Sequence, residues 1–536
     1  MATLAISNFK GKIVKSTLGD VNSGSVPSFP ASYGYNPIWT PFDSSLSFLP
    51  APTSIGGTTL TEPIVKFQTQ MLASAGDGYA FGLGMSGGMY SIQATNVAGS
   101  PNDVDTITKF TNGLGENSYF GGGMLFSSIS GTQQLYVCTD TNLHATSGFI
   151  FPASATWSTI TGGGGLSTAM PHPMIEFLGK IYVANGSNVA ESTDGATFTT
   201  NVKLSPGLPA NYWIRDMQVS SDGRYLVMIA SNDNFTDTYN QNKGNTQVWQ
   251  LPDSIVALWN GTDNGYTSVQ FFKGIDLSCI AVTNVTTIIL GKDDEGLAMF
   301  DLSGNKINIF SDVGIAGSAT YSPSSVFVAG NKLFFVTQLG NMGLSLCSYD
   351  ITSQSLYNLA SISSSAESVK GAVCMPSVHT NTYLSSDVTF TKLYYSVSYL
   401  PVATQANNKL YRLTLENVFG VTFQAGQYIT QVQKFAKKIK IDAVRVYCEP
   451  TTANESFVVR LSHGTGLISG SSSFTYTYAA GTDATQGQGS LTLIKFNPEI
   501  SSTSQLGVRI VNNGTDNVTI HKIEIDYTEV ENPATV

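Results

Sequence analysis

Carboxylates are the residues of this chain whose types and spacing come nearest to chemistry. Asp194 lies in the run Ser192-Thr193-Asp194-Gly195-Ala196-Thr197-Phe198, and Asp293-Asp294-Glu295 is the densest acidic cluster. Two carboxylates across a glycosidic bond can cleave it, one as acid and the other as base or nucleophile. Both stretches also have a plainer reading. An Asp-Gly pair preceded by Ser suits a sharp corner in which the carboxylate caps backbone N–H groups. GKDDEGLAMF reads as a solvated turn between two strands, and its spacing matches no calcium loop.

Other chemical groups are scattered. The histidines (His144, His172, His379, His463 and His521) share no metal-ligand spacing. No nucleophile-elbow motif accompanies them. TGGGGLSTAM at 161–170 lacks the lysine of a phosphate-binding loop and reads as a connection between sheets. The five cysteines (Cys138, Cys279, Cys347, Cys374 and Cys448) form no CxxC pair, and most lie in apolar runs that predict buried free thiols. The sequence therefore predicts no catalytic, cofactor-binding or metal-binding residues and a chain that is not an enzyme.

The Ser192–Phe198 run resembles the Asp-box turn of sialidase propellers, one residue shorter and with Phe198 in place of tryptophan. That resemblance implies a blade corner, since in sialidases the turn lies away from the catalytic centre. A sialidase-like site also needs three arginines converging on a substrate carboxylate, because bidentate guanidinium pairing supplies the binding energy. Only Arg215, Arg224 and Arg412 lie before residue 420, and none precedes 215. The expectation is a corner.

The elements that would position such residues are strands. Of the 536 residues, 42% are hydrophobic but only 12% are charged, about half the usual share. A polar surface made mainly of Ser, Thr, Asn, Gln and Gly suits short strands joined by tight turns. The net charge of −10 argues against a nucleic-acid-binding face, which needs clustered Lys and Arg. It would still allow DNA to slide past without sticking. The basic run KFAKKIKIDAVR, 434–445, alternates so that Lys438 and Lys440 dress the outer face of a strand, guarding an edge. The first residues, MATLAISNFKGKIVKSTLGD, carry no export-signal core, and no stretch approaches the length of an apolar membrane span.

Three regions follow. Residues 1–62 interleave Pro27, Pro30, Pro37 and Pro41 with Tyr33, Tyr35, Trp39 and Phe42, which predicts an extended arm packed along its own chain or a neighbour. Over 63–420 one kind of strand recurs: YAFGLG, LYVCTD, IYVANG, YLVMIAS, TIILGKD, LFFVTQ and LYYSVS, 44 to 63 residues apart. That period predicts a β-propeller of six or seven four-stranded blades. Residues 421–536 read as a jelly-roll-like antiparallel β-sandwich, with strands such as QYITQVQKF, KIKIDAVRVYCEP and VTIHKIEIDYTEV. VNNGTDN predicts a hairpin between the last two strands. The expected fold class is all-β.

The C-terminal stretch, through QVQKFAKKIKIDAVRVYCEP, ANESFVVRLSHGTG and LGVRIVNNGTDNVTIHKIEIDY, resembles a module of tailed-bacteriophage structural proteins. A propeller joined to such a module resembles the tail-tube or nozzle proteins of short-tailed phages. The resemblance implies a virion structural protein, made in the host cytoplasm, that assembles into a homo-oligomeric ring with other virion proteins around a DNA exit channel. Tail-fibre, collar and capsid-decorating roles are open alternatives. So is a host-glycan-binding module that uses aromatics such as Phe474, Tyr476 and Tyr478.

Overall fold

The computed structural model describes residues 2–6, 46, 53–55, 59–71, 78–95, 104–118, 123–150, 154–160, 166, 170–204, 207–232, 252–293, 296–311, 326–329, 332–338, 344–352, 355–361, 366–379, 388–399, 408–414, 426–430, 433–448, 456–462, 474–479, 492–496, 503–512 and 519–530. The protein is all-β and built largely of four-stranded antiparallel sheets, an arrangement consistent with a β-propeller. One 3₁₀ turn, Val202–Leu204, is the sole helical element among the described residues.

The strands, in chain order, begin with β1 (Ala2–Ile6) and β2 (Thr53–Ile55). The first sheet holds β3 (Ile64–Met71), β4 (Gly78–Gly84), β5 (Met89–Thr95) and β6 (Val104–Lys109). The second holds β7 (Met124–Ser127), β8 (Gln134–Cys138), β9 (Leu143–Ile150) and β10 (Ser154–Thr159). The third holds β11 (Met174–Phe177), β12 (Lys180–Asn185), β13 (Asn188–Ser192) and β14 (Thr199–Thr200). The fourth holds β15 (Trp213–Val219), β16 (Leu226–Ser231), β17 (Ser254–Trp259) and β18 (Ser268–Phe272). The fifth holds β19 (Asp276–Val282), β20 (Thr287–Lys292), β21 (Gly296–Phe300) and β22 (Lys306–Ser311). The sixth holds β23 (Val326–Ala329), β24 (Lys332–Gln338), β25 (Leu344–Asp350) and β26 (Ser355–Ser361). The seventh joins β27 (Ala366–His379), β28 (Val388–Tyr399) and β29 (Asn408–Thr414) to β2, in the order β2-β29-β28-β27. The remaining strands are β30 (Gln427–Ile429), β31 (Gln433–Cys448), β32 (Ser456–Ser462), β33 (Phe474–Ala479), β34 (Thr492–Phe496), β35 (Thr503–Asn512) and β36 (Ile520–Val530).

Contacts divide the chain into two compact units. One comprises Thr53–Leu344 and Ser363–Arg412. Within it the first strands touch in a closed cycle, β3 to β7, β11, β15, β19, β23, β27 and back to β3. The recurring strands of the sequence are the second strands of these sheets, and their alternate residues feed different cores. On β16, Leu226, Met228 and Ala230 pack with Tyr182 and Phe177 of the third sheet, whereas Val227 and Ile229 pack with Leu277, Ile280 and Ile289 of the fifth. On β8, Leu135 and Val137 join Phe81 and Leu83, whereas Tyr136 and Cys138 join Ile181 and Val183. Burial on both faces is why these strands read as unbroken apolar runs. Each fully buried large apolar side chain contributes roughly 1.5–3 kcal/mol.

The second unit comprises Met1–Pro52, Ser345–Ile362 and Leu413–Val536. It holds an eight-stranded antiparallel sheet of order β1-β36-β31-β35-β32-β33, with β30 on β35 and β34 on β31. Alternation along β31 buries Ile439, Ile441, Val444 and Val446 and leaves Lys438 and Lys440 outside, as the pattern predicts. Several expectations need correction. β31 is an interior strand flanked by β36 and β35, so its lysines guard no edge. VNNGTDN does not close a hairpin, because β31 lies between β35 and β36. Turn-forming residues show that a chain can reverse, not which strand it returns beside. The 1–62 segment is not uniform either: Ala2–Ile6 is an edge strand on β36, and Thr53–Ile55 is the outer strand of the seventh sheet. Most of the Pro/aromatic run lies outside the described residues.

Candidate functional site

A group of buried charged residues lies on the first strands of the sheets. β3, β15 and β19 each break register near their start, between Ile64 and Lys66, Ile214 and Asp216, and Leu277 and Cys279. Such bulges re-aim the side chains beside them. Arg215, the extra residue on β15, is buried, pairs with Asp276 and donates from Nη1 to the Leu277 carbonyl at 3.3 Å. Asp216 is also buried. Its Oδ1 accepts the Met217 N–H at 2.9 Å and its Oδ2 the Ile280 N–H at 2.8 Å. These bonds tie the fourth sheet to the fifth.

Burial is the largest influence on Asp216 and raises its pKa to about 6, against the opposing charge of Lys66 and the hydrogen bonds. Lys66 comes from the first sheet, three steps away round the cycle of first strands, and its charge also acts on Cys279. The Cys279 thiol is pushed up by burial and stays protonated, so it is no nucleophile. A carboxyl near pKa 6 has the proton affinity of a general acid or base. Here both oxygens are occupied by backbone N–H groups inside the core, and the group works as a tie. The sequence signal for it was a charged Arg-Asp pair inside the apolar run WIRDMQV.

A second polar junction ties the connection between β6 and β7 to the second sheet. Glu116 accepts from Thr139 Oγ1 at 2.6 Å, Thr141 Oγ1 at 2.9 Å and Asn142 Nδ2 at 2.8 Å, with His144 Nε2 at 3.2 Å. Burial works against its ionisation, but these bonds outweigh it and hold the pKa below normal.

The Ser192–Phe198 run is a corner between β13 and β14. Asp194 Oδ1 accepts the N–H groups of Ala196 and Thr197, both at 2.8 Å, and the Ser192 hydroxyl at 2.9 Å. Phe198 is buried with Tyr136, Ile181 and Ala190. Bonds from the backbone of Thr197 and then Ala196 lower the Asp194 pKa to about 2. The same construction recurs unannounced at Ser220–Tyr225, where Asp222 Oδ1 accepts from Ser220 Oγ at 2.6 Å and Arg224 N at 3.1 Å.

The other sequence candidates disperse. Arg215 is buried at the start of β15 and Arg224 is exposed beyond its end, so they do not converge. Arg412 pairs through its backbone with Thr53 on β2. Asp293 is not solvated: it is buried and lies 2.6 Å from Lys306 Nζ, while 294–295 fall outside the described residues. Buried His172 has its Nδ1 2.8 Å from the Ala184 carbonyl. Cys138, Cys279, Cys347 and Cys448 are buried and in no disulfide. The glycines at 162–165, His463 and the side chains of Phe474, Tyr476 and Tyr478 fall outside the described residues. Among the described residues no cluster could hold a metal ion, and no helix is long and apolar enough to cross a membrane.

No family model and no curated protein matches the chain. Solved structures do resemble it. A puromycin hydrolase matches over 66% of this chain and 62% of its own, with 10% identity and a TM-score of 0.30. A Mycobacterium tuberculosis puromycin-hydrolysing peptidase matches over 71% and 61%, with 11% identity and a TM-score of 0.38. BBS1N, solved in complex with ARL6DN, matches over 70% and 98%, with 7% identity and a TM-score of 0.41. The chain thus spans about three-fifths of the puromycin-hydrolysing proteins it matches. The expectation that it is not an enzyme is corrected by these neighbours, since three of the matching structures belong to hydrolases. Likenesses this distant assign neither a reaction nor any residue of this chain to one.

Proposed function

We propose that the protein is a structural subunit of a bacteriophage virion, most simply a tail nozzle, tube or hub component that assembles as a homo-oligomeric ring with other virion proteins. In this reading the seven four-stranded sheets form a seven-bladed propeller and the C-terminal strands form a β-sandwich. Domain limits near 63–420 and 421–536 belong to the same proposal, with the 1–62 segment contributing β2 to the seventh sheet and β1 to the C-terminal strands, as does localisation in the phage tail. Passage of DNA past a weakly charged, acidic surface would need no specific contact.

The observation that carries the reading is the pairing of two kinds of β unit in one chain. A closed cycle of seven first strands supports seven blades. The sandwich is supported by two groups of strands, β1-β36-β31-β34 and β30-β35-β32-β33, which meet where the start of β35 pairs with β31. The test is light scattering on the purified, untagged chain across a range of concentrations. A closed oligomer of fixed mass is expected. A monomer at all concentrations would overturn the proposal.

A further inference from the structure

We propose that β1 is an exchangeable strand, and that in the assembled protein it pairs with β36 of a second copy of this chain. The inference rests on the assembly reading above and names the contact that would hold copies together.

Two separate segments occupy one edge of β36. β1 runs antiparallel to it, from Ala2 opposite Tyr527 to Ile6 opposite Ile523. Three residues further along the same edge, Ile520 exchanges both backbone bonds with Leu46, at 2.7 and 2.8 Å. A strand continuing from Ile6 in register would reach Ile520 at chain position 9, yet Leu46 holds that place. The gap along β36 is roughly 10 Å at the usual rise per strand residue. The 39 residues 7–45 connect its two sides, and covalent geometry lets that many span up to roughly 130 Å. Such a length is far beyond what the gap needs and ample to reach a neighbouring subunit.

β1 is also held in a way that a second copy reproduces without loss. Its bonds to β36 are backbone ladder bonds, and Thr3 Oγ1 donates to Asp526 Oδ1 at 2.8 Å. Ile6 is its one buried side chain, Leu4 is half-buried, and the other three are exposed. Leu46, by contrast, is fully buried and anchors its own segment. An identical strand from another copy makes identical contacts, so exchange costs little, and an uncovered β36 edge would present unpaired backbone groups.

Thr3 and Asp526 lie directly opposite each other, which sets the experiment. One copy carrying Thr3→Cys and another carrying Asp526→Cys are mixed, oxidised and run on non-reducing gels. A disulfide-linked pair of copies is expected. The double variant T3C/D526C alone should give a ladder of covalent multimers. A mixture without linked pairs, together with a double variant that closes its disulfide only within one chain, overturns the proposal. A second register pair, Ala2→Cys with Tyr527→Cys, guards against loss of the Arg445 contact to Asp526. Light scattering on the same samples separates the two ideas. An oligomer with only internal disulfides overturns strand exchange and leaves the ring standing, whereas a monomer with internal disulfides overturns both.

Discussion

Asp194 and Asp216 carry the same side chain, and each accepts two backbone N–H bonds, yet their carboxyls are driven in opposite directions. Asp194, on the outer corner of the third sheet, is held down to about 2. Asp216, on the first strand of the fourth sheet, is raised to about 6. Hydrogen-bond number does not separate them. Water does: the corner carboxylate keeps its hydration and adds bonds, whereas the buried one exchanges hydration for bonds and loses on balance. The protein therefore spends polar groups in two ways, to shape corners at its surface and to join sheets in its interior.

The harshest way to break that comparison is to remove the buried cation. Arg215→Met should lower stability by about 3–5 kcal/mol in urea titrations, because it strands Asp276 in a largely buried site. Removing both partners, Arg215→Met with Asp276→Leu, should recover most of that loss, since a packed apolar pair replaces an ion pair at little cost. A double variant as unstable as the single one would mean that Arg215 acts through groups other than Asp276.

Asp216 gives the next largest effect, through pH. Its folded pKa lies above the unfolded 3.8, so its contribution to stability is complete below about pH 4 and is lost as pH rises through about 6. A shift of that size corresponds to about 3 kcal/mol at full ionisation. Other carboxylates, such as Glu524 with its pKa lowered to about 2, work in the opposite direction. The measurement is therefore a difference. Stability of Asp216→Asn relative to the natural chain should rise between pH 4 and 7, and a flat difference would remove the desolvation account.

These buried ties mark the limit of what the sequence discloses. Second strands such as LVMIAS and LYVCTD were legible because both of their faces are buried, which leaves a signature within a few residues. The Asp194 corner was legible because all of its bonds close within six residues. Asp216 was not, because its decisive partner is Ile280, 64 residues away on another sheet. The same reason hid the place of β31 between β35 and β36, and the return of Ala2–Ile6 to the far end of the chain. Local chemistry prints itself locally. Pairing across hundreds of residues leaves only alternation, which identifies a strand without naming its neighbour.

Glycines at the two corners sharpen the comparison on a smaller scale. Gly195 and Gly223 both have φ near +70°, where an added Cβ costs about 1 kcal/mol or somewhat more. A Cβ at Gly223 would meet open space, while one at Gly195 would come 2.1 Å from the Tyr136 hydroxyl. Gly195→Ala should therefore destabilise clearly more than Gly223→Ala in thermal melts. Equal losses would mean that Tyr136 swings aside freely and that the third-sheet corner is not packed against the second sheet.

The smallest effect is the titration of Asp194 itself. Its folded pKa lies below the unfolded 3.8, so the contribution is present above that value and fades as pH falls through about 2. The group is fully exposed, and screening keeps the energy small, so the readout is the carboxyl carbon shift by NMR rather than a melt. A midpoint near 2 is expected, returning towards the ordinary value in Ser192→Ala, which removes the hydroxyl that donates to Oδ1. Because the N–H groups of Ala196 and Thr197 remain in that variant, the return should be partial. A complete return would show that Ser192 builds the turn and Asp194 merely occupies it, reversing the roles that separate the corner from the core.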